Sequence, residues 1–432
     1  MNRRVSCGTC LQVCPTGALT FQPVYGKGPN WELTKESSIC IYCGVGCKID
    51  FYTNKQGQLV KAMGNVDGPN RDHLCVKGRF GFDFVQSPKR LTKPLIKKDG
   101  EFVEASWDEA LDLTASQMLA IKNTYGAEAM VFSSTHNLSQ MQFENLLYAY
   151  GSPNYGTQRS LCFNAMITAF LLTYGIEEPS RTYDNVEYIL MVGRNLMEAI
   201  STSETGELSH AIDRGAKLVY LDPRYTITAS KATEWIPIRP GTDAAFLLAM
   251  INVIVNNELA DCEFVKQYVV GCDGIQDEMR KYTSAWAEQI TGVPEATIER
   301  IAREYAAAKH NALAHPGWRT SNFINSFQTE RAIATLNALS GNVFTEGGCL
   351  SADVTAEGSG LGAPPQPAYP RVSALRLDGT PWKYPLVPLK LGVFQELRDA
   401  ILTGEPYQAH GWFISRQNPV MSLPDRGRTL QA

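Results

Sequence analysis

Cys40-Ile41-Tyr42-Cys43-Gly44-Val45-Gly46-Cys47, followed after 27 intervening residues by Cys75-Val76-Lys77-Gly78-Arg79-Phe80-Gly81, decides how this chain is read. Three thiolates on one tight loop and a fourth further on suit a cubane [4Fe–4S] cluster, which takes one thiolate per iron. Gly44 and Gly46 let the backbone curl around such a cluster and aim N–H groups at its sulfurs. Four cysteines also bind zinc, but zinc sites tend to use paired C-x2-C knuckles, and only one such pair stands here.

Upstream, Cys7, Cys10 and Cys14 form C-x2-C-x3-C-Pro15, the tail of a ferredoxin-type run. In two-cluster ferredoxins the cysteine before the proline ligates the other cluster. A complete run would carry one more cysteine where Arg4 stands. The expectation is a partial ferredoxin-type cluster site on a chain cut short at its start. Seven of the 11 cysteines fall in the first 75 residues. In a reducing compartment such clustering means metal or redox chemistry rather than disulfides.

The whole chain has 432 residues, 44% hydrophobic and 19% charged, enough for two or three domains with a large packed core. The net charge of −4 comes with no basic run, so nucleic acid is not expected as a partner. The longest apolar stretch, near residues 244–255, is too short to span a bilayer. Arg3-Arg4 is followed by no apolar export segment, so a cytoplasmic location is expected.

Downstream, strands and helices alternate. A helix is expected to start near Ser106, with Glu109 completing a capping box. Residues 129–133 read as a buried strand and 138–150 as a helix. Residues 186–192 read as a strand ending in Gly193-Arg194-Asn195. A helix over 204–214 and a strand over 216–221, ending in Asp222-Pro223-Arg224, complete a parallel βαβ unit. In such sheets ligands lie beyond the carboxyl ends of the strands, where these polar residues stand. Gly-Arg-Asn and Asp-Pro are also ordinary turn formers. No G-x-G-x-x-G follows a strand, which argues against NAD. Ile238-Arg239-Pro240-Gly241-Thr242-Asp243 precedes a long apolar helix that Thr242 or Asp243 would cap. A strand over 311–314 leads to His315-Pro316-Gly317, and a helix over 329–339 carries Arg331 near its start. Residues 358–370 read as a Gly- and Pro-rich loop.

Together these motifs resemble the molybdopterin oxidoreductase family, which includes formate dehydrogenases and thiosulfate, polysulfide and tetrathionate reductases. The resemblance rests on the cluster spacing, Cys75-Val76-Lys77-Gly78-Arg79-Phe80-Gly81, Trp107-Asp108-Glu109-Ala110-Leu111, Leu221-Asp222-Pro223-Arg224 and the segment 238–243. It implies an α/β, multidomain fold: a small [4Fe–4S] domain, then Rossmann-like αβα domains with parallel sheets that bind pterin dinucleotides. The domains expected are a ferredoxin-like remnant (1–30), the [4Fe–4S] domain (31–95) and the molybdopterin-binding domains (96–432), with a C-terminal cofactor domain missing.

The implied cofactors are a [4Fe–4S] cluster and bis-molybdopterin guanine dinucleotide with Mo or W. The resemblance makes Cys40, Cys43, Cys47 and Cys75 the cluster ligands and Lys77 the lysine between cluster and pterin. Gly193, Asn195, Asp222, Arg224, Gly241, Asp243, Gln417 and Asn418 match pterin-dinucleotide contacts. Cys162, in Ser160-Leu161-Cys162-Phe163, matches the Mo or W ligand, a soft thiolate suited to that metal. Its plain alternative is a buried packing cysteine. Arg331 matches an arginine that holds an anionic substrate.

The implied activity is a two-electron reaction of the formate dehydrogenase kind, with a small anionic substrate and an electron-transfer subunit or ferredoxin as partner. Formate dehydrogenases carry His after the ligand cysteine, where this chain has Phe163. Gly151-Ser152-Pro153-Asn154 and His315-Pro316-Gly317 look more like thiosulfate and polysulfide reductases, the alternative activity. A non-catalytic electron-wiring subunit is a further alternative, but it would need neither Cys162 nor Lys77. His136 is a weaker pocket candidate.

Overall fold

Short alternating segments around the first cysteine loop pair into a three-stranded antiparallel sheet of Thr34–Ile39, Lys48–Thr53 and Leu59–Gly64. The register runs from Thr34 opposite Thr53 to Ile39 opposite Lys48. One face of the sheet buries Ile49 and Ala62 with Leu74 and Phe82, while Thr34–Ile39 stays exposed along its length. These coordinates are a computed structural model that describes residues 7–21, 26–43, 45–135, 140–199, 202–315, 317, 320–345, 349–351, 375–388 and 391–432.

The chain divides into two units. The first comprises Met1–Thr92, Tyr183–Ile189 and Arg194–Pro237. Besides the small sheet it holds the helix Thr202–Asp213 and the parallel strands Lys217–Leu221 and Glu234–Ile236, with Val219 opposite Glu234. The Lys217 N–H donates to the Glu187 carbonyl at 2.8 Å, which sets Tyr188 and Ile189 beside this pair.

The second unit comprises Lys93–Thr182, Leu190–Gly193 and Ile238–Ala432. Its three-stranded parallel sheet has the order Gly411–Ser415, Met130–Ser134, Tyr155–Thr157. Met130–Ser134 is buried throughout, as its unbroken apolar start demands of a central parallel strand. Phe132 packs on one side with Phe143, Leu147 and Tyr150 of the helix Gln140–Tyr150. Val131 packs on the other with Phe394 and Leu397 of the helix Phe394–Thr403. This is the αβα layering expected. The helix Asp243–Asn256 is buried along most of its length and packs with Ser284–Thr291, Glu295–Ala307 and Ser326–Leu339.

The helix Trp107–Tyr125 begins where its cap lies: the Glu109 N–H donates to Ser106 Oγ at 3.1 Å. The capping box is only half formed, because the Glu109 carboxylate accepts from Lys98 instead. Thr242 does not cap its helix either; its hydroxyl donates back to the Arg239 carbonyl at 2.7 Å. Among the described residues no helix is long and apolar enough to cross a membrane.

Candidate functional site

The loop between the first two strands of the small sheet carries Cys40, Cys43 and Cys47, and is closed by the Cys40 N–H donating to the Cys47 carbonyl at 2.9 Å. Gly46 sits at φ 67°, a left-handed turn that a side chain would strain. Cys75 immediately precedes the helix Val76–Phe80 with its side chain making no capping hydrogen bond, and a Cβ on Gly78 of that helix would lie 3.5 Å from Cys40 Sγ. The helix backbone at Gly78 thus passes close to the Cys40 sulfur. Burial pushes the Cys40 thiol up, and the charges of Cys47, Cys43 and Cys75 push it further.

Four cysteines, one for each iron of a cubane, are the donor set that a [4Fe–4S] cluster takes, so the residues present fit that group. Lys77 lies exposed on the same helix. Among the described residues none of the cysteines forms a disulfide.

The N-terminal cysteines flank the short helix Thr9–Val13. Arg79, wholly buried, donates from Nε to the Cys7 carbonyl and from Nη1 to Gln12 Oε1, both at 2.9 Å. Gln12 in turn exchanges two hydrogen bonds with the Gly64 backbone. Burial disfavours a Cys7 thiolate, but hydrogen bonds from Thr9 and the charge of Arg79 prevail and lower its pKa. Hydrogen bonding by Thr16 brings Cys14 down to about 7. The spacing alone did not disclose Arg79 as the residue that docks this segment.

In the first unit, Asn195 and the loop after Lys217–Leu221 meet through Thr228, whose hydroxyl donates to Asn195 Oδ1 at 2.9 Å and accepts from the Met197 N–H at 3.0 Å. Buried Asp222 accepts from the Arg224 N–H at 2.7 Å and from Tyr220 Oη at 2.9 Å. Arg224 points its exposed side chain outward.

In the second unit, Gly193 ends its strand at φ 59°. A Cβ on Gly317 would lie 2.1 Å from the Val192 carbonyl oxygen, so position 317 needs glycine against this strand end. Gly241 has φ 80°, and buried Asp243 opens its helix. Gln417 follows Gly411–Ser415; both polar atoms of its amide are buried and lack a hydrogen bond, as befits a group awaiting a ligand. Asn418 is exposed beside it.

Cys162 closes the single turn Arg159–Cys162, half-buried, and Phe163 breaks the chain into the helix Asn164–Tyr174. Phe163 packs against Met166, Phe170 and Ala334. Arg331 is exposed and donates to Gln328 at 3.1 Å. It lines cavities of about 510 and 850 Å³ with Thr335, Gly271 and Ile275, and Cys162 is not among the residues lining either. His315 is buried, whereas His136, Pro316 and residues 352–374 lie outside the described residues.

A cluster-binding cysteine loop ahead of layered parallel α/β structure defines a class of redox proteins. The model of the molybdopterin oxidoreductase family matches residues 90–432, and that of the molybdopterin oxidoreductase Fe4S4 domain matches residues 33–87. The chain belongs to the molybdopterin oxidoreductase family. It carries that family's cofactors, a [4Fe–4S] cluster and a molybdopterin with Mo or W.

Among its relatives is the thiosulfate reductase molybdopterin-containing subunit PhsA of Salmonella typhimurium, 33% identical over 98% of this chain and 57% of the relative. Another is the F420-dependent formate dehydrogenase subunit alpha of Methanocaldococcus jannaschii, 31% identical over 90% of this chain and 58% of the relative. The chain thus spans 57% and 58% of the length of these two relatives. Acetylene hydratase from Pelobacter acetylenicus shares the fold, with a TM-score of 0.76 at 24% identity over 92% of this chain and 59% of that one.

Proposed function

We propose that the chain is the cluster- and pterin-binding part of an oxidoreductase that carries out a two-electron reaction on a small sulfur anion of the thiosulfate or polysulfide kind. The observation that carries this reading is Phe163, packed into an apolar cluster directly after Cys162. A benzene ring neither takes nor gives a proton, so the residue beside the ligand cysteine offers no acid–base help to formate. The likeness to a thiosulfate reductase over nearly the whole chain supports it.

Cys40, Cys43, Cys47 and Cys75 would hold the cluster, with Lys77 on the electron path. Cys162 would ligate Mo or W. In the first unit Asn195, Asp222 and Arg224, and in the second Gly193, Gly241, Asp243, Gln417 and Asn418, would contact pterin dinucleotide. The bound metal supplies the two-electron chemistry; the protein orients the substrate and balances its charge. An electron-transfer subunit or ferredoxin in the cytoplasm completes the reading.

Oxidation of formate is the second reading, favoured by the formate dehydrogenase relative. Elemental analysis of anaerobically purified protein comes first. About four irons per chain with Mo or W are expected; zinc in place of iron would remove the cluster. Turnover is then compared on thiosulfate, polysulfide and formate with artificial electron carriers. Formate as the sole substrate would overturn the sulfur reading.

A further inference from the structure

Arg159 opens the turn that ends in Cys162. Residues three apart on a helical turn leave the same face, with Cβ atoms about 5–6 Å apart. The Arg159 guanidinium lies over the Phe163 ring, 5.4 Å from its centroid. Its Nη2 is held by Glu177 at 3.2 Å, and its side chain is only 22% exposed. A guanidinium has five N–H donors in a rigid fork. Nε and Nη1 of Arg159 make no hydrogen bond to the described residues. Ring and carboxylate thus clamp a permanently charged fork on the face of Cys162, with donors to spare. Arg331 is placed otherwise: exposed, and lining cavities that do not include Cys162.

We propose that Arg159, rather than Arg331, takes the oxyanion of the substrate at Cys162. The inference rests on Cys162 being the metal ligand. A fork offering two parallel N–H groups matches the paired oxygens of a carboxylate or a sulfur oxyanion. Glu177 occupies one edge and fixes which edge faces the substrate. The Phe163 ring fixes the plane and keeps water from one side of the charge, which strengthens the bond to the anion. Lysine keeps the charge but loses the fork.

The test uses the full, metal-loaded chain without an electron donor. Thiosulfate and formate are titrated calorimetrically into wild type, R159Q, R159K and R331Q, with Fe, Mo and W measured on each sample. R159Q is expected to weaken binding of whichever anion the wild type takes by at least tenfold, at unchanged metal content. R159K should fall between, and R331Q should stay within twofold of wild type. In turnover, R159Q should raise KM far more than it lowers kcat. Wild-type affinity in R159Q, the loss appearing in R331Q instead, or no binding of either anion to the loaded wild type would each overturn the proposal. If R159Q does not load metal, R159K decides: wild-type affinity there also overturns it. C162S separates this from the underlying reading, because unchanged Mo or W content in that variant sinks the ligand role of Cys162 itself.

Discussion

Arg79 and Cys7 meet across 72 residues of chain, where the Arg79 Nε–H donates to the Cys7 carbonyl oxygen at 2.9 Å. The contact locks the N-terminal cysteine segment to the small sheet, since the same guanidinium reaches Gln12, which bridges to Gly64. Hydrogen bonds to a charged group are worth about 1.5–3 kcal/mol each. Arg79→Met should free residues 7–21, read as a rise in their amide hydrogen exchange of at least tenfold. Gln12→Leu, which leaves Arg79 one bond, should produce a smaller rise. Equal protection in all three proteins would show that the segment is held by other contacts.

Gly317 cannot carry a side chain without moving backbone. Its added Cβ would stand 2.1 Å from the Val192 carbonyl oxygen and 2.7 Å from that of Gly193. Gly317→Ala should displace the end of that strand and reduce Mo or W content, with iron retained because the cysteine loop belongs to the other unit. It should also lower stability by about 1–3 kcal/mol, as overpacking does. Full Mo or W loading would show that the strand end tolerates the shift.

Arg376 and Asp378 form an ion pair with both side chains 0% exposed, 2.8 Å between Nη2 and Oδ2. Asp378 also accepts from the Thr380 N–H and hydroxyl and from the Val393 N–H. Asp378→Ala strands a buried guanidinium and should cost about 3–5 kcal/mol in urea unfolding. Replacing both residues by Met and Leu should recover part of that loss. A single variant as stable as wild type would mean that water reaches the site.

Cys349 is 1% exposed, its S–H directed at the His310 carbonyl, and burial pushes its pKa to about 12 from the ordinary 9. The folded state therefore keeps a proton that the unfolded state loses first. Its contribution is complete below pH 9 and shrinks as pH rises toward 12, by at most about 1.4 kcal/mol per pH unit. Cys349→Ala should flatten the alkaline fall of the urea midpoint. An unchanged slope would assign that fall to the buried tyrosines Tyr155, Tyr174, Tyr220 and Tyr305, which burial also shifts upward.

Local pattern made much of this readable. The spacing of residues 40–47 needs no partner to be recognised, and Met130–Ser134 and Lys217–Leu221 show as apolar runs bounded by turn residues. The strand expected over 129–133 lies one residue later, as element ends commonly do, and the helix expected over 329–339 ends where expected but starts three residues earlier, at Ser326. What local pattern could not carry was direction. Glu109 turned to Lys98 rather than to its own cap, because that choice depends on a neighbour outside the helix. Arg159 escaped notice for the same reason: its value comes from Glu177 and from the Phe163 ring it lies over, both outside its own turn.

The parallel pairing of Gly411–Ser415 with Met130–Ser134 has a cost in time. Trp412 donates to Ser133 across 279 residues. At about 5–20 residues per second of synthesis, the earlier strand waits roughly 15–55 s for its neighbour. During that wait an apolar, fully buried strand has one open edge, the kind of edge on which chains aggregate. Slow, non-local closure of this sort favours chaperone capture on the ribosome. Faster synthesis shortens that exposure, so at a given temperature slowing translation should lower the soluble yield unless a chaperone covers the edge.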